Sequence, residues 1–189
     1  MVLGFFVGSI VPPIIYKLNH SMYSRDSLDN IMKELLGDFH VDDAITDEVL
    51  LVAYDYNSQA PRFFSKYFAK EDAGIYDVPI GNATGASSAA PTYFDPKVQK
   101  NIYGLTEMQI DGGLICNNPA FYAYQVAKEF NGYKKLRILS LGTGEKPFNG
   151  FDAASMSRVD FMLKPDEFMM NIDTYTAHHW LEMTMPSED

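Results

Sequence analysis

Residues 108–113 read Met-Gln-Ile-Asp-Gly-Gly, a short apolar run that ends on a carboxylate and turns at once on two glycines. Glycine gives up more conformational freedom on folding than any other residue, so a pair of them marks φ > 0 or a close approach of backbones. Two more Gly-punctuated runs flank it. Upstream stands Ala83-Thr84-Gly85-Ala86-Ser87-Ser88-Ala89-Ala90-Pro91-Thr92-Tyr93-Phe94, and downstream Leu139-Ser140-Leu141-Gly142-Thr143-Gly144.

The segments between these runs set the expected fold class. Val49-Leu50-Leu51-Val52-Ala53-Tyr54 is a continuous apolar stretch, as in a strand covered on both faces. Arg62-Phe63-Phe64-Ser65 reads as its neighbour, Met108–Ile110 as a third strand and Leu136–Leu141 as a fourth. Leu28, Ile31, Met32, Leu35 and Leu36 recur at helical spacing, with Ser27 as N-cap and Gly37 as the stop. Asn118 reads as a second N-cap and Pro119 as the first helical residue, with Ala120, Ala123, Val126, Ala127 and Phe130 on the buried face. A last helix is predicted over about Pro165–Met183. Strands alternating with helices in this way imply an α/β fold, with a mostly parallel sheet and helices on both faces.

At 189 residues the chain fits one domain, long enough to bury roughly 70% of its unfolded surface. Residues 1–16 are apolar and uncharged, but Pro12-Pro13 interrupts them, and they fall short of the roughly 20 residues of a spanning helix. Met1 is followed directly by Val2, without the positive charge that opens a signal peptide. A buried helix over residues 1–18 is the expectation, in a protein that is cytoplasmic or peripheral to membranes. The formal charge of −10 argues against nucleic acid and against electrostatic attraction to anionic lipid. Any membrane contact would be peripheral and made through apolar surface.

In parallel α/β sheets reactive groups gather at the carboxyl ends of strands, which is where Asp111 falls. Its carboxylate either caps a turn, as Asp does in many loops, or does chemistry in a space the two glycines leave open. Cys116 lies in an apolar run and reads as a packed small hydrophobe. His178 and His179, beside Trp180, read as a surface or interface feature. No Cys/His spacing supports a metal, and Gly142-x-Gly144 lacks a phosphate-loop Lys, so neither metal nor cofactor is expected. The aromatic stretch Tyr54, Tyr56, Phe63, Phe64, Tyr67 and Phe68 reads as core, with acyl-chain contact as the alternative.

Taken together, the three runs in this order resemble the patatin-like phospholipase family. Ser87-Ser88-Ala89-Ala90-Pro91-Thr92-Tyr93-Phe94 looks like its Ser-Ala-Ala-Pro-x-x-Phe segment, and Asp111-Gly112-Gly113 through Asn117-Asn118-Pro119 like its Asp-Gly-Gly motif and helix start. Val52–Tyr56 with Arg62–Phe64 looks like its strand pair, and Leu139–Gly144 like the next strand and Gly turn. The resemblance implies a three-layer α/β sandwich, a lipid ester or phospholipid substrate, and Asp111 as the proton acceptor of a Ser–Asp dyad.

The other half of that dyad is not in the sequence. The family's Gly-x-Ser-x-Gly elbow and Gly-rich oxyanion loop are both missing. Gly85-Ala86-Ser87-Ser88-Ala89 carries Ala in place of the second glycine, and Gly8-Ser9-Ile10 lacks the frame as well. Residues 1–189 are therefore expected to form a single patatin-like domain truncated at its N-terminus, with residues 1–18 as the helix that follows a missing elbow. Two rivals stand beside the lipid acyl hydrolase: a non-catalytic remnant that binds lipid or a partner, and a Ser–His–Asp esterase acting through His178. Neither the lipid cleaved nor the oligomeric state is readable.

Overall fold

The computed structural model describes residues 21–142 and 165–185, with side chains described in the latter stretch from Ile172 onward. The helix expected over 1–18, the Gly8-Ser9-Ile10 string and the end of the Gly142-Thr143-Gly144 turn lie outside the described residues. The chain divides into two compact units, Met1–Ile115 and Cys116–Asp189.

In the first unit, α1 spans Arg25–Leu36, β1 Leu50–Asp55 and β2 Ala60–Ser65. Two short helices follow, α2 (Lys66–Glu71) and α3 (Ala73–Tyr76), then α4 (Ile80–Ser87). The unit ends with β3 (Lys97–Lys100), β4 (Thr106–Asp111) and a 3₁₀ turn over Gly112–Leu114. The four strands form one sheet in the order β2-β1-β4-β3. Each expected strand of this unit is present.

Their pairing corrects the mostly parallel sheet expected from the sequence: β1 is antiparallel to both β2 and β4, and β3 is antiparallel to β4. For the β1–β2 and β3–β4 pairs the reason is chain length. Residues 56–59 join β1 to β2 and residues 101–105 join β3 to β4, with Gln59 at φ 53 and Gly104 at φ 76. Connections this short reverse the chain; a parallel pair needs a crossover of a dozen residues or more.

Helix α1 ends as expected at Gly37, whose φ of 59 suits a residue without a Cβ. It begins earlier than expected, with Ser24 rather than Ser27 at the N-cap. Leu28, Met32 and Leu36 form its half-buried stripe, while Ile31 and Leu35 face water. The sheet is buried against α4: Ala53 and Phe64 pack with Ala83, Ala86 and Val41, and Leu51 and Val78 line the edge. Small residues on α4 allow this approach. Phe64 thus fulfils the core reading of the aromatic stretch, whereas Tyr56 is exposed.

Alternation along β1, β2 and β4 continues the same sheet face into a polar layer. Arg62 Nη2 donates to Asp55 Oδ2 at 3.3 Å and to Glu107 Oε1 at 3.0 Å. Asp55 and Glu107 are 3% and 5% exposed, so these are buried carboxylates sharing one guanidinium. Gln109 Nε2 donates to Glu107 Oε2 at 2.8 Å, Ser58 Oγ to Asp55 Oδ2 at 2.6 Å, and the guanidinium lies over the Tyr76 ring. Removing one partner of a buried ion pair leaves an uncompensated charge and costs about 3–5 kcal/mol. Arg62→Met is therefore expected to lower the denaturation midpoint sharply, and a simultaneous Glu107→Gln to recover part of the loss.

In the second unit, α5 (Ala120–Gln125) passes into a π-helical turn over Val126–Phe130, and α6 spans Pro165–Thr184. The last helix matches its expected bounds to within a residue. The expected buried face of α5 holds in part: Val126 is buried and Ala120 and Ala127 are half-buried, but Ala123 and Phe130 are exposed and Tyr124 is buried instead. The π turn widens the helix at Val126, so the 3.6-residue spacing used to read that face fails beyond it. The strand expected over Leu136–Leu141 is absent, and Leu139 and Leu141 are 82% and 83% exposed. These residues have no ladder neighbour among the described residues, and an isolated strand is not stable in water.

Candidate functional site

Asp111 is the last residue of β4, opposite Ala53 of β1. Its own N–H donates to the Ala89 carbonyl at 3.0 Å, which ties the Ser87–Pro91 segment to the end of the strand. One carboxylate oxygen accepts the Gly113 N–H and caps the 3₁₀ turn. Among the described residues no ion pair or further hydrogen bond engages its other oxygen. Burial pushes the Asp111 carboxyl above its ordinary value, outweighing the Gly113 N–H, which pulls the other way. Both readings of the Asp are thus physically compatible: one oxygen holds the turn while the group is kept a stronger base than a solvated aspartate.

Of the two uses the sequence left open for the glycines, φ > 0 is not the one found. Positive φ among described glycines occurs at Gly37, Gly104 and Gly132, not at Gly112 or Gly113. Gly112 is instead buried against the backbone of β1, where a Cβ would collide with the Val52 carbonyl oxygen. Close approach, the other use of a glycine, is the one at work.

The Ser87–Pro91 segment terminates α4. Ser87 is its last residue and is half-buried; Ser88 is the C-cap and its Oγ donates to the Thr84 carbonyl at 2.8 Å. Ala89 is fully buried, the chain emerges at exposed Pro91, and Thr92 sits at φ 75. That conformation is strained for a β-branched residue. Neither serine is engaged with Asp111 by any hydrogen bond among the described residues. The contact of Ala89 with Asp111 was not foreseen, since nothing in a one-dimensional pattern pairs a helix end with a strand end.

The second unit carries the Asn-Asn-Pro string. Asn118 caps through its side chain, Oδ1 accepting the Ala120 N–H at 3.1 Å, and its backbone N–H donates to Asp173 Oδ2 at 3.0 Å. The Pro119 carbonyl accepts the Ala123 N–H at 2.8 Å, so the helix proper begins one residue later than expected. Asn117 Nδ2 reaches Thr174 Oγ1 at 3.4 Å. Cys116 is buried and its thiol is pushed up to about 12, by burial first and by the Asp173 charge second, which suits packing rather than nucleophilic attack. His178 is exposed and pairs with Glu182 one turn on at 3.2 Å. No group of metal-ligating residues occurs among the described residues.

With this geometry in place, residues 8–124 match the family model described as Patatin-like phospholipase. The chain belongs to the patatin-like phospholipase family. It is similar to Patatin-like protein 2 of Arabidopsis thaliana, 29% identical over 83% of this chain and 43% of that protein. It is also similar to Patatin-17 of Solanum cardiophyllum, 27% identical over 88% of this chain and 48% of that protein. A third similar protein, of Arabidopsis thaliana, is named Probable inactive patatin-like protein 9 and is 30% identical over 58% of this chain and 30% of its own length. The chain spans less than half the length of these curated relatives. The patatin-like match takes in the Ser87–Pro91 segment, Asp111 and the Asn-Asn-Pro string, and ends within α5. No helix among the described residues is long and apolar enough to cross a membrane.

Proposed function

We propose that this patatin-like chain supplies the base-bearing portion of a lipid acyl hydrolase, with Asp111 as the proton acceptor. The observation that carries the reading is the state of that carboxylate: at a strand end, half-buried, oriented by the Gly113 N–H, and with no cation beside it among the described residues. A carboxylate in an ion pair would be held low and would be a weak base. Here burial does the opposite.

In the proposed reaction a serine hydroxyl gives its proton to Asp111 as its oxygen attacks the ester carbonyl of a lipid. The tetrahedral intermediate collapses, the departing alkoxide takes the proton from Asp111 and leaves as the alcohol, and an acyl-serine remains beside a carboxylate that is again ionised. Water, deprotonated by the same carboxylate, then releases the fatty acid. Residues 1–189 contain no serine in a Gly-x-Ser-x-Gly frame, so the nucleophile is assigned to sequence outside them. Asn117, Asn118 and Pro119 would start the helix after the motif, within a single patatin-like domain. Contact with the lipid surface would be peripheral.

The missing elbow also favours a second reading, a non-catalytic remnant that binds lipid or a partner. An ester-hydrolysis assay on the 189-residue chain, beside a version extended upstream, separates the two. Loss of the nucleophile alone costs on the order of 10⁶ in turnover, so the short chain is expected to show no measurable hydrolysis. The extended chain is expected to hydrolyse short-chain esters if an elbow is present, with activity falling at acid pH as Asp111 becomes protonated. Because the folded carboxyl lies above its ordinary value, that acid limb should sit at higher pH than a solvated aspartate would give. An extended chain that carries an elbow and remains inert would leave the remnant reading standing.

A further inference from the structure

The second unit contains a cavity of about 180 Å³ between α5 and α6 that the hydrolase reading does not use. Along α6, Asp173, Thr176, Ala177 and Trp180 line it, at the i, i+3, i+4, i+7 spacing of one helical stripe. Across from them stand Phe121 and Tyr122 of α5. Ala177, small and buried, is the low point of the stripe and leaves the space open.

Phe121 and Trp180 have centroids 6.4 Å apart with planes tilted by 40°, and Phe121 and Tyr122 meet at 6.1 Å and 71°. All three residues line the same cavity. Trp180 is 48% exposed, so the space opens to solvent. A carboxylate stands in its wall: Asp173 accepts the Asn118 N–H but has no cationic partner among the described residues. Its charge is felt around the cavity, since it helps to raise both the Cys116 thiol and the Tyr122 phenol.

An aromatic-walled cavity with one uncompensated carboxylate selects for a cation. The polar groups of the wall are already engaged in part: Thr176 Oγ1 donates to the Ile172 carbonyl of its own helix at 2.7 Å, and Asn118 Oδ1 and Asp173 Oδ2 each accept a backbone N–H. A quaternary ammonium, which carries no donors, asks no further hydrogen bonds of them. The volume suits it, because a cavity of about 150 Å³ already holds benzene. We infer that Phe121, Tyr122, Trp180 and Asp173 form a binding site for a quaternary ammonium group. The group could belong to a choline-type lipid headgroup, which rests on the hydrolase reading, or to a free small cation, which does not.

The chain's single tryptophan lies in this wall, so its emission reports binding without any turnover. The experiment titrates the full 189-residue chain with choline chloride at constant ionic strength, beside 3,3-dimethylbutan-1-ol, the neutral analogue of the same shape. Choline is expected to give a saturable change and the neutral alcohol to bind several-fold more weakly. Asp173→Asn, which keeps an oxygen for the Asn118 N–H, is expected to weaken choline binding on the order of tenfold. Ala177→Leu is expected to abolish it by filling the space. Phosphatidylcholine vesicles that reproduce the choline response, where phosphatidylglycerol vesicles do not, would assign the ligand to a headgroup. A response to free choline alone would assign it to a soluble cation. Equal binding of choline and its neutral analogue, or an Asp173→Asn chain that binds choline unchanged, would overturn the site. A chain with no hydrolysis in any form but with this titration intact would sink the hydrolase reading and leave the cation site in place.

Discussion

Asp111→Asn, made in a chain extended to include a nucleophile elbow, is expected to lower ester hydrolysis by about 10²–10⁴-fold. An amide of the same shape can still accept the Gly113 N–H and hold the turn, but it cannot take a proton from a hydroxyl. The same change should leave folding intact. The folded carboxyl sits above its ordinary value because burial disfavours its charge. A group raised in this way binds its proton more tightly in the folded state, so it lowers stability at neutral pH. That penalty is relieved as pH falls through the folded pKa towards the unfolded value. Replacing the charge with a neutral amide should therefore keep or raise the melting temperature at pH 7. Activity lost together with a large drop in melting temperature would mean that Asp111 serves the turn alone. A Ser–His–Asp esterase would in addition lose activity with His178→Ala, whereas the dyad is indifferent to that change.

The second large effect is structural. Gly112→Val is expected to destabilise the first unit by about 3 kcal/mol, the upper end for overpacking, since overpacking against backbone leaves no flexible atom to yield. A Cβ at this position meets the Val52 carbonyl, which belongs to the middle of β1. Relief requires β1 and β4 to separate where Ala53 faces Asp111. Gly112→Ala should already show most of the loss, because the first carbon makes the collision and branching adds little. Urea denaturation of the two variants beside the parent measures it. Equal midpoints for all three would show that the strand pair is looser than its spacing implies.

Much of the first unit was legible in the residues. Apolar runs at Val49–Tyr54 and Met108–Ile110 named the two central strands, and Gly37 named the end of α1. Direction was not legible, because a short apolar run looks the same in parallel and antiparallel sheets; the connections at residues 56–59 and 101–105 decide it for the β1–β2 and β3–β4 pairs. The Arg62–Asp55–Glu107 layer was missed for a related reason. Its members stand on three strands, and a charged residue in a strand gives no local sign of being buried. At the site, Asp111 was legible from its glycines, although which of their two uses applied was not. Asp173 was hidden altogether, since only the packing of α6 on α5 gives it company.

The order β2-β1-β4-β3 leaves β2 and β3 without outer neighbours among the described residues. Each carries a feature that discourages further strands from joining. In β2, Pro61 lacks an N–H to offer a newcomer. In β3, Lys97 is buried against Asp29 but Lys100 is exposed at the strand end, and a second copy docking alongside would bring like charges together there. The sheet is thus guarded against growing into a fibril, and chains of this kind should stay dispersed at concentrations where an unprotected four-stranded sheet would polymerise.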